Sequence, residues 1–281
     1  MPGKILVTGA NGQLGTELRH LLPNAVFTDV AELDITNSHA VKQFLHNNNI
    51  DTVVNCAAYT AVDNAEDNFD IAYSINAIGP KNLAEHIPNI IHISTDYVFD
   101  GKKSTPYKTD DKPNPVSVYG KTKYAGENAV LETADKAVII RTAWLYSPYG
   151  NNFVKTMRRL GQERESINVV CDQIGTPTYA ADLAHAIVEI IPQISFENSG
   201  VYHFTNEGIC SWYDFAKEIM HKSGLKCDVK PIPSSAYPTK ASRPAYSLLD
   251  KSAIKNVFGI KIAHWADGLQ RCISEINKQR V

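Results

Sequence analysis

Near its start the chain runs Ile5-Leu6-Val7 straight into Thr8-Gly-Ala-Asn-Gly-Gln-Leu-Gly15, and a helix-period segment, Gln13 to Leu22, opens inside that turn. Few folds accept an apolar strand that reverses over three glycines directly into a helix. Glycines 9, 12 and 15 have separate uses there: one permits the tight reversal, one lets backbone approach a bulky anion, and one lets helix pack on strand. The helix start then presents free N–H groups and a partial positive charge, which makes the turn a candidate pyrophosphate cradle. A bare three-glycine pattern also describes ordinary strand-to-helix turns, so context has to decide. Asp29 supplies some: it ends the next apolar run, Ala25–Thr28, where a dinucleotide fold places a carboxylate on the adenosine ribose.

Strand-like runs Ile5–Thr8, Ala25–Thr28, Thr52–Cys56, Ile90–Ile93 and Ala137–Arg141 alternate with helix-period segments Gln13–Leu22, Ser38–Asn47, Ile71–His86 and Tyr119–Glu132. The alternation predicts an α/β protein with a Rossmann-type doubly wound parallel sheet, its ligand site at the carboxyl ends of the strands. Asn37 or Ser38 is expected to cap the second helix, and Pro80 to start a helical piece after Gly79. From about Asn151 the helical stretches Phe153–Gly161, Ala180–Ile191, Trp212–Ser223 and Trp265–Lys278 are separated by short strands and Pro-rich loops such as Lys230-Pro-Ile-Pro233. Residues 1–150 are therefore expected to form the nucleotide-binding domain, and 151–281 mainly a smaller C-terminal α/β substrate lobe, with room for part of it to return to the main sheet.

A net charge of −2 offers no basic surface for nucleic acid or anionic lipid, so a negative ligand must be held by local groups. The five cysteines form no C-x-x-C pair and are odd in number, which fits reduced thiols better than a disulfide framework. No run reaches the length of a membrane span, and the first strand begins without a signal peptide. A soluble cytoplasmic protein is the expectation.

Tyr119-Gly-Lys-Thr-Lys123 lies just inside an expected helix, which puts Tyr119 and Lys123 one turn apart on one face. An ammonium beside a phenol stabilises the phenolate and is expected to lower the Tyr119 pKa, making it a usable proton donor or acceptor. Two of the thirteen tyrosines carry a lysine four residues on, the other being Tyr213 with Lys217. Tyr119 follows the loop after the strand Ile90–Ile93, where a ligand on the sheet edge would lie, whereas Tyr213 has Trp212, Phe215 and Ile219 beside it and reads as packing. Ser94-Thr-Asp-Tyr-Val-Phe-Asp-Gly101 follows that same strand, so Thr95 can hydrogen-bond a substrate carbonyl; it can equally satisfy the turn backbone.

Together, Thr8–Gly15, Cys56-Ala-Ala-Tyr-Thr-Ala-Val-Asp63, Ser94–Gly101, Tyr119–Lys123 and Arg141-Thr-Ala-Trp-Leu-Tyr146 resemble the extended short-chain dehydrogenase/reductase family. The resemblance continues through Asn151-Asn-Phe-Val154, Asp172-Gln-Ile-Gly-Thr-Pro-Thr178 and Ser242-Arg-Pro244 and so covers nearly the whole chain. It implies hydride transfer from NADPH or NADH to the C4 ketone of dTDP-4-dehydro-L-rhamnose, with Tyr119 as proton donor, Lys123 on the nicotinamide ribose and Thr95 orienting the carbonyl. By the same resemblance Gly9, Asn11, Gly12, Gln13 and Leu14 match the pyrophosphate turn, Asp34 and Ile35 the adenine contact, Ala57, Ala58 and Thr60 the loop over the cofactor, and Tyr97 a further cofactor-side position. Val62 and Trp144 match sugar-pocket positions, and Arg243 is the candidate for the nucleotide diphosphate, since a guanidinium gives bidentate phosphate recognition.

Asp29, with no Arg or Lys close after it, should disfavour the extra phosphate of NADPH, so NADH is expected to serve at least as well. Some family members place Mg2+ at a dimer interface through several glutamates, of which only Glu17 has a counterpart here; metal binding is not expected to follow, and monomer and homodimer both stay open. A 4,6-dehydratase would carry a glutamate after Thr95-Asp96, where this chain has Tyr97. An epimerase would keep NAD bound through purification. A non-catalytic module similar to the regulatory subunit of methionine adenosyltransferase would bind NADPH and reduce no nucleotide-sugar.

Overall fold

The computed structural model describes residues 3–279. Its first half alternates β1 (Lys4–Thr8), α1 (Gln13–Leu21), β2 (Val26–Thr28), α2 (Ser38–Asn47) and β3 (Ile50–Asn55), then α3 (Val62–Ala65), α4 (Phe69–Tyr73), a π-helical turn Ser74–Ile78, α5 (Gly79–Ala84), β4 (Asn89–Thr95), α6 (Val118–Thr133) and β5 (Lys136–Thr142). The second half holds β6 (Leu145–Tyr146), α7 (Phe153–Glu163), β7 (Ser166–Val170), β8 (Ile174–Gly175), β9 (Thr178–Tyr179), α8 (Ala180–Ile190), β10 (Gly200–His203), β11 (Cys210–Ser211), α9 (Trp212–Lys222), β12 (Asp228–Ile232), α10 (Ser252–Phe258) and α11 (Trp265–Lys278).

Six strands form one all-parallel sheet in the order β10-β5-β4-β3-β1-β2. From β1 the chain winds first to β2 on one side and then to β3 on the other, which opens a crevice at the carboxyl ends of β1 and β3 where a ligand can enter. Both faces are covered, as parallel strands with apolar residues on either side require. Leu14 and Leu18 of α1, Leu183 and Ile187 of α8, and Ile254 and Phe258 of α10 pack on Val7, Val54, Ile91 and Ile140. On the opposite face Val41, Leu83 and Val130 pack on Leu6, Val53, Ile90 and Ile139. A separate apolar cluster around Tyr146, Phe215, Leu269 and Ile273 holds α7, α9 and α11 to the short strands of the second half. Tyr213 sits against that cluster, as its neighbours in the sequence suggest.

Local chemistry explains where the helices begin. The Asn37 side chain accepts the Ala40 N–H at 3.0 Å, Ser117 accepts that of Gly120 at 3.1 Å and Asn152 that of Lys155 at 3.1 Å. Helix α1 has no such cap, because Gly12 has no side chain with which to make one. Pro80 sits in the first turn of α5, as the sequence suggests. That helix follows directly on the π turn, which is closed by the Gly79 N–H on the Ser74 carbonyl.

Candidate active site

A cavity of about 790 Å3 runs from the glycine turn, over the ends of β1, β3 and β4, to Trp144 and Leu145. At one end the wall is mostly backbone. Gly9 has φ +65°, and a Cβ there would stand 2.7 Å from the Ala57 nitrogen; a Cβ on Gly15 would overlap the Gly9 carbonyl oxygen. The first-turn N–H groups of α1, with neither a side-chain cap nor an acidic residue beside them, point their partial positive charge into this end. Asp29 closes it: Oδ2 accepts the Asn11 N–H at 3.1 Å and Oδ1 the Val30 N–H at 2.8 Å. Asp34 Oδ1 accepts both the N–H and the hydroxyl of Thr36, shaping the turn that carries Ile35 to the wall.

The loop after β3 forms one side. Ala57, Ala58, Thr60 and Val62 all line the cavity. The loop is held by Asn76, a fully buried residue of the π turn, whose Oδ1 accepts the Tyr59 N–H at 2.8 Å while Nδ2 donates to the Tyr59 carbonyl and to Thr122 Oγ1. The π turn thus aims one amide at both the loop and α6, a use typical of such insertions at functional sites. Gln13 ties the start of α1 to the second half, donating to the Leu145 carbonyl and accepting from Asn152 Nδ2 at 2.9 Å.

At the far end titratable side chains converge. Thr95, 5% exposed at the tip of β4, donates to Asp96 Oδ1 at 3.1 Å and accepts the Tyr97 N–H at 3.2 Å, and it lines the cavity together with Tyr119. The Thr95 hydroxyl satisfies its turn, and the residue also lines the cavity. Tyr119 leans edge-on against Tyr97, ring centroids 5.4 Å apart. Burial pushes the Tyr119 phenol up to about 12, the Thr95 hydrogen bond draws it back in part, and the nearby Asp96 charge adds to the rise. That corrects the expectation of a lowered pKa. Lys123, 1% exposed, spends its charge elsewhere, donating to the Ile93 carbonyl at 2.7 Å and lying 3.4 Å from His92 Nε2. Burial also brings Lys123 down to about 8 and Asp96 up to about 7.

Trp144 adopts φ +50°, an uncommon conformation for a bulky residue, and its indole stacks on Trp212 at 3.7 Å with 12° between the planes. Among the residues expected from sequence, Gly9, Gly12, Gln13, Leu14, Asp29, Asp34, Ile35, Ala57, Ala58, Thr60, Val62, Thr95, Tyr97, Tyr119, Lys123 and Trp144 all line this one cavity. Two do not. Asn11 contributes its backbone N–H to Asp29 from outside the wall, and Arg243 donates to Asp63 Oδ2 at 2.9 Å beyond it. Glu17 is also remote: it is buried beside Glu275 and Asp182, and burial brings its carboxyl up to about 7. Among the described residues no group of three or more His, Cys, Asp or Glu is placed to hold a metal ion. Asp96, Gly150 and Asn151 line the cavity without having been singled out; a carboxylate directly after a candidate catalytic threonine, and a Gly-Asn turn ahead of a capped helix, were the available signals.

Residues 3–278 match a family model described as the RmlD substrate binding domain. The chain is 42% identical over 285 residues to the dTDP-4-dehydrorhamnose reductase of Aggregatibacter actinomycetemcomitans, with 95% of this chain and 97% of that protein covered. Its fold matches the crystal structure of a dTDP-4-dehydrorhamnose reductase from Clostridium acetobutylicum with a TM-score of 0.94 at 46% identity, covering 98% of this chain and 99% of that one. The dTDP-4-dehydrorhamnose reductase of Bacillus anthracis, solved in complex with NADP, matches with a TM-score of 0.92 at 42% identity over 98% of this chain and 100% of that one. No helix among the described residues is long and apolar enough to cross a membrane.

Proposed function

The chain belongs to the RmlD substrate binding domain family, and on that premise we propose that it reduces the C4 ketone of dTDP-4-dehydro-β-L-rhamnose to dTDP-β-L-rhamnose with NADPH or NADH. The observation that carries the reading is that Thr95, Tyr119 and Lys123 line one cavity that begins at an uncapped helix start behind three glycines. The glycine end fits a dinucleotide because a Cβ at Gly9 or Gly15 would fill the space that backbone needs to approach a pyrophosphate. Bound there, the cofactor supplies the hydride. The protein supplies the proton: with its pKa at about 12 the Tyr119 phenol stays protonated through the neutral range and donates from Oη to the oxygen that becomes the C4 hydroxyl. Thr95 orients that oxygen, and Lys123 holds the nicotinamide ribose.

Val62 and Trp144 are assigned to the sugar. Arg243 is assigned to the nucleotide diphosphate, since its bond to Asp63 leaves the Nε donor without a partner. Asp29 keeps the adenosine end negative, so NADH is proposed to serve at least as well as NADPH. We place the reaction in the cytoplasm, in keeping with five free cysteines. The test follows the near-ultraviolet absorbance of NADH or NADPH with enzymatically generated dTDP-4-dehydrorhamnose and identifies the product by NMR. Oxidation with formation of dTDP-rhamnose supports the reading; confirmed cofactor binding without oxidation overturns it.

A further inference from the structure

Next to Lys123, three neighbouring strands carry a row of hydrogen-bonded polar side chains across the buried sheet. Thr8 of β1 pairs in register with Asn55 of β3, and Asn55 with His92 of β4. Asn55 and His92 are both 0% exposed. Thr8 Oγ1 donates to Asn55 Oδ1 at 2.6 Å, and the Ala57 N–H donates to the same oxygen at 3.2 Å. A backbone N–H can only donate, so it fixes which end of the Asn55 amide is oxygen. The other end, Nδ2, must then donate to His92 Nδ1, 3.0 Å away. An imidazole that accepts at Nδ1 carries its proton on Nε2, and burial together with the nearby Lys123 charge holds this histidine neutral. That Nε2–H faces Lys123 Nζ at 3.4 Å.

A donor facing an ammonium is a poor partner, whereas the same donor facing a neutral amine meets a lone pair. The remaining groups around Lys123 leave the contrast standing. Glu127, one turn on along α6, works the other way, its charge raising the proton affinity of Lys123, but its carboxylate is itself engaged by Arg141 of β5 at 2.6 Å and by the Ser94 hydroxyl, and burial outweighs it. Cys56 after β3 is pushed up to about 12 by burial and so stays neutral, Tyr119 on α6 stays a phenol, and the π turn presents the uncharged Asn76 amide. We infer that His92 is a positioning residue for Lys123: locked by Asn55 as its Nε2–H tautomer, it lowers the proton affinity of the amine, so that Lys123 exchanges protons near neutral pH instead of remaining a fixed cation. His92 does not reach the cavity, so it acts only through Lys123. The inference rests on the reductase reading only in taking Lys123 as the cofactor-side group.

Two measurements on the substrate-free protein test it. In protein labelled with 15N-histidine, the resonance lost in His92→Gln identifies His92, and its two-bond couplings in the wild type should show the Nε2–H tautomer; the Nδ1–H tautomer overturns the inference, even if the variant serves for nothing else. In protein labelled with 15N-lysine, the Lys123 titration should move up by one pH unit or more in His92→Gln, a tenfold gain in proton affinity, because the glutamine can turn its carbonyl to Nζ. An unchanged midpoint in a folded variant overturns it as well. Neither experiment uses the ketosugar, so a failure of the reductase assay and a failure here remain separate results.

Discussion

The two ends of the cavity are built from opposite materials. At the glycine turn the wall is peptide, and its properties come from what is missing: no Cβ at Gly9 or Gly15, no cap on α1, no acid in its first turn. At the tip of β4 the wall is side chain, and burial has displaced Asp96, Tyr119 and Lys123 from their solution pKa values. Backbone dipoles bind an anion with the same orientation at every pH, which suits a part that must hold. Desolvated side chains change state with small changes in surroundings, which suits a part that must react.

This contrast can be broken in order of effect. Replacing Tyr119 by Phe removes the phenol that lines the cavity with Thr95, and turnover should fall by about 10^2 to 10^4-fold, the usual range for a lost general acid, while the dissociation constant for NADH by fluorescence titration stays within about twofold. If cofactor affinity falls in step with turnover, the two ends are not separable. Gly15→Ala is the reciprocal change: its Cβ overlaps the Gly9 carbonyl oxygen, so the Michaelis constant for the cofactor should rise on the order of tenfold, equivalent to about 1.4 kcal/mol, with turnover at saturation nearly unaltered. Asp29→Ala should tilt the ratio of NADPH to NADH efficiency towards NADPH by roughly fivefold, since it removes a carboxylate from the ribose end; a ratio that stays put would show that this residue does not set preference.

The smallest effect asks whether a displaced pKa is by itself a mark of chemistry. Glu17 is raised as far as Asp96, to about 7, yet lies outside the cavity. A carboxyl raised on folding holds its proton more tightly in the native state, so its stabilising contribution is complete below about pH 4 and is lost as pH climbs through 7. Glu17→Gln should therefore melt about 2 to 4 °C higher than wild type at pH 8, match it near pH 4, and keep full turnover. Lost turnover in this variant would extend the reactive region well beyond the tip of β4.

Much of this could be read before any coordinates, for identifiable reasons. Strands β1 to β5 stand out because both sheet faces are covered, which writes each strand as an uninterrupted apolar run, and α2 begins at Asn37 because a side-chain cap is a local event. The glycine turn is legible because steric absence leaves a residue-type signature. The illegible parts depend on partners distant in the chain. Arg243 carries the right chemistry for a diphosphate, but where its guanidinium rests is decided by Asp63, 180 positions away. The spacing of Tyr119 and Lys123 puts both on one helical face; it cannot reveal that the Ile93 carbonyl and His92 take up the amine. The π turn was hidden as well, since Ser74–Ile78 fits an α period and its extra residue is fixed by the needs of Asn76.

The stacked indoles at the sugar end have an optical consequence. Trp144 and Trp212 are two of only three tryptophans in the chain, and at 3.7 Å their transition dipoles couple. Both rings pack against the apolar cluster of the second half but only Trp144 lines the cavity, so anything that shifts one ring against the other alters that coupling. The near-ultraviolet ellipticity of the native protein is thus an unlabelled reporter of how the sugar pocket is arranged, readable in plain buffer while turnover proceeds.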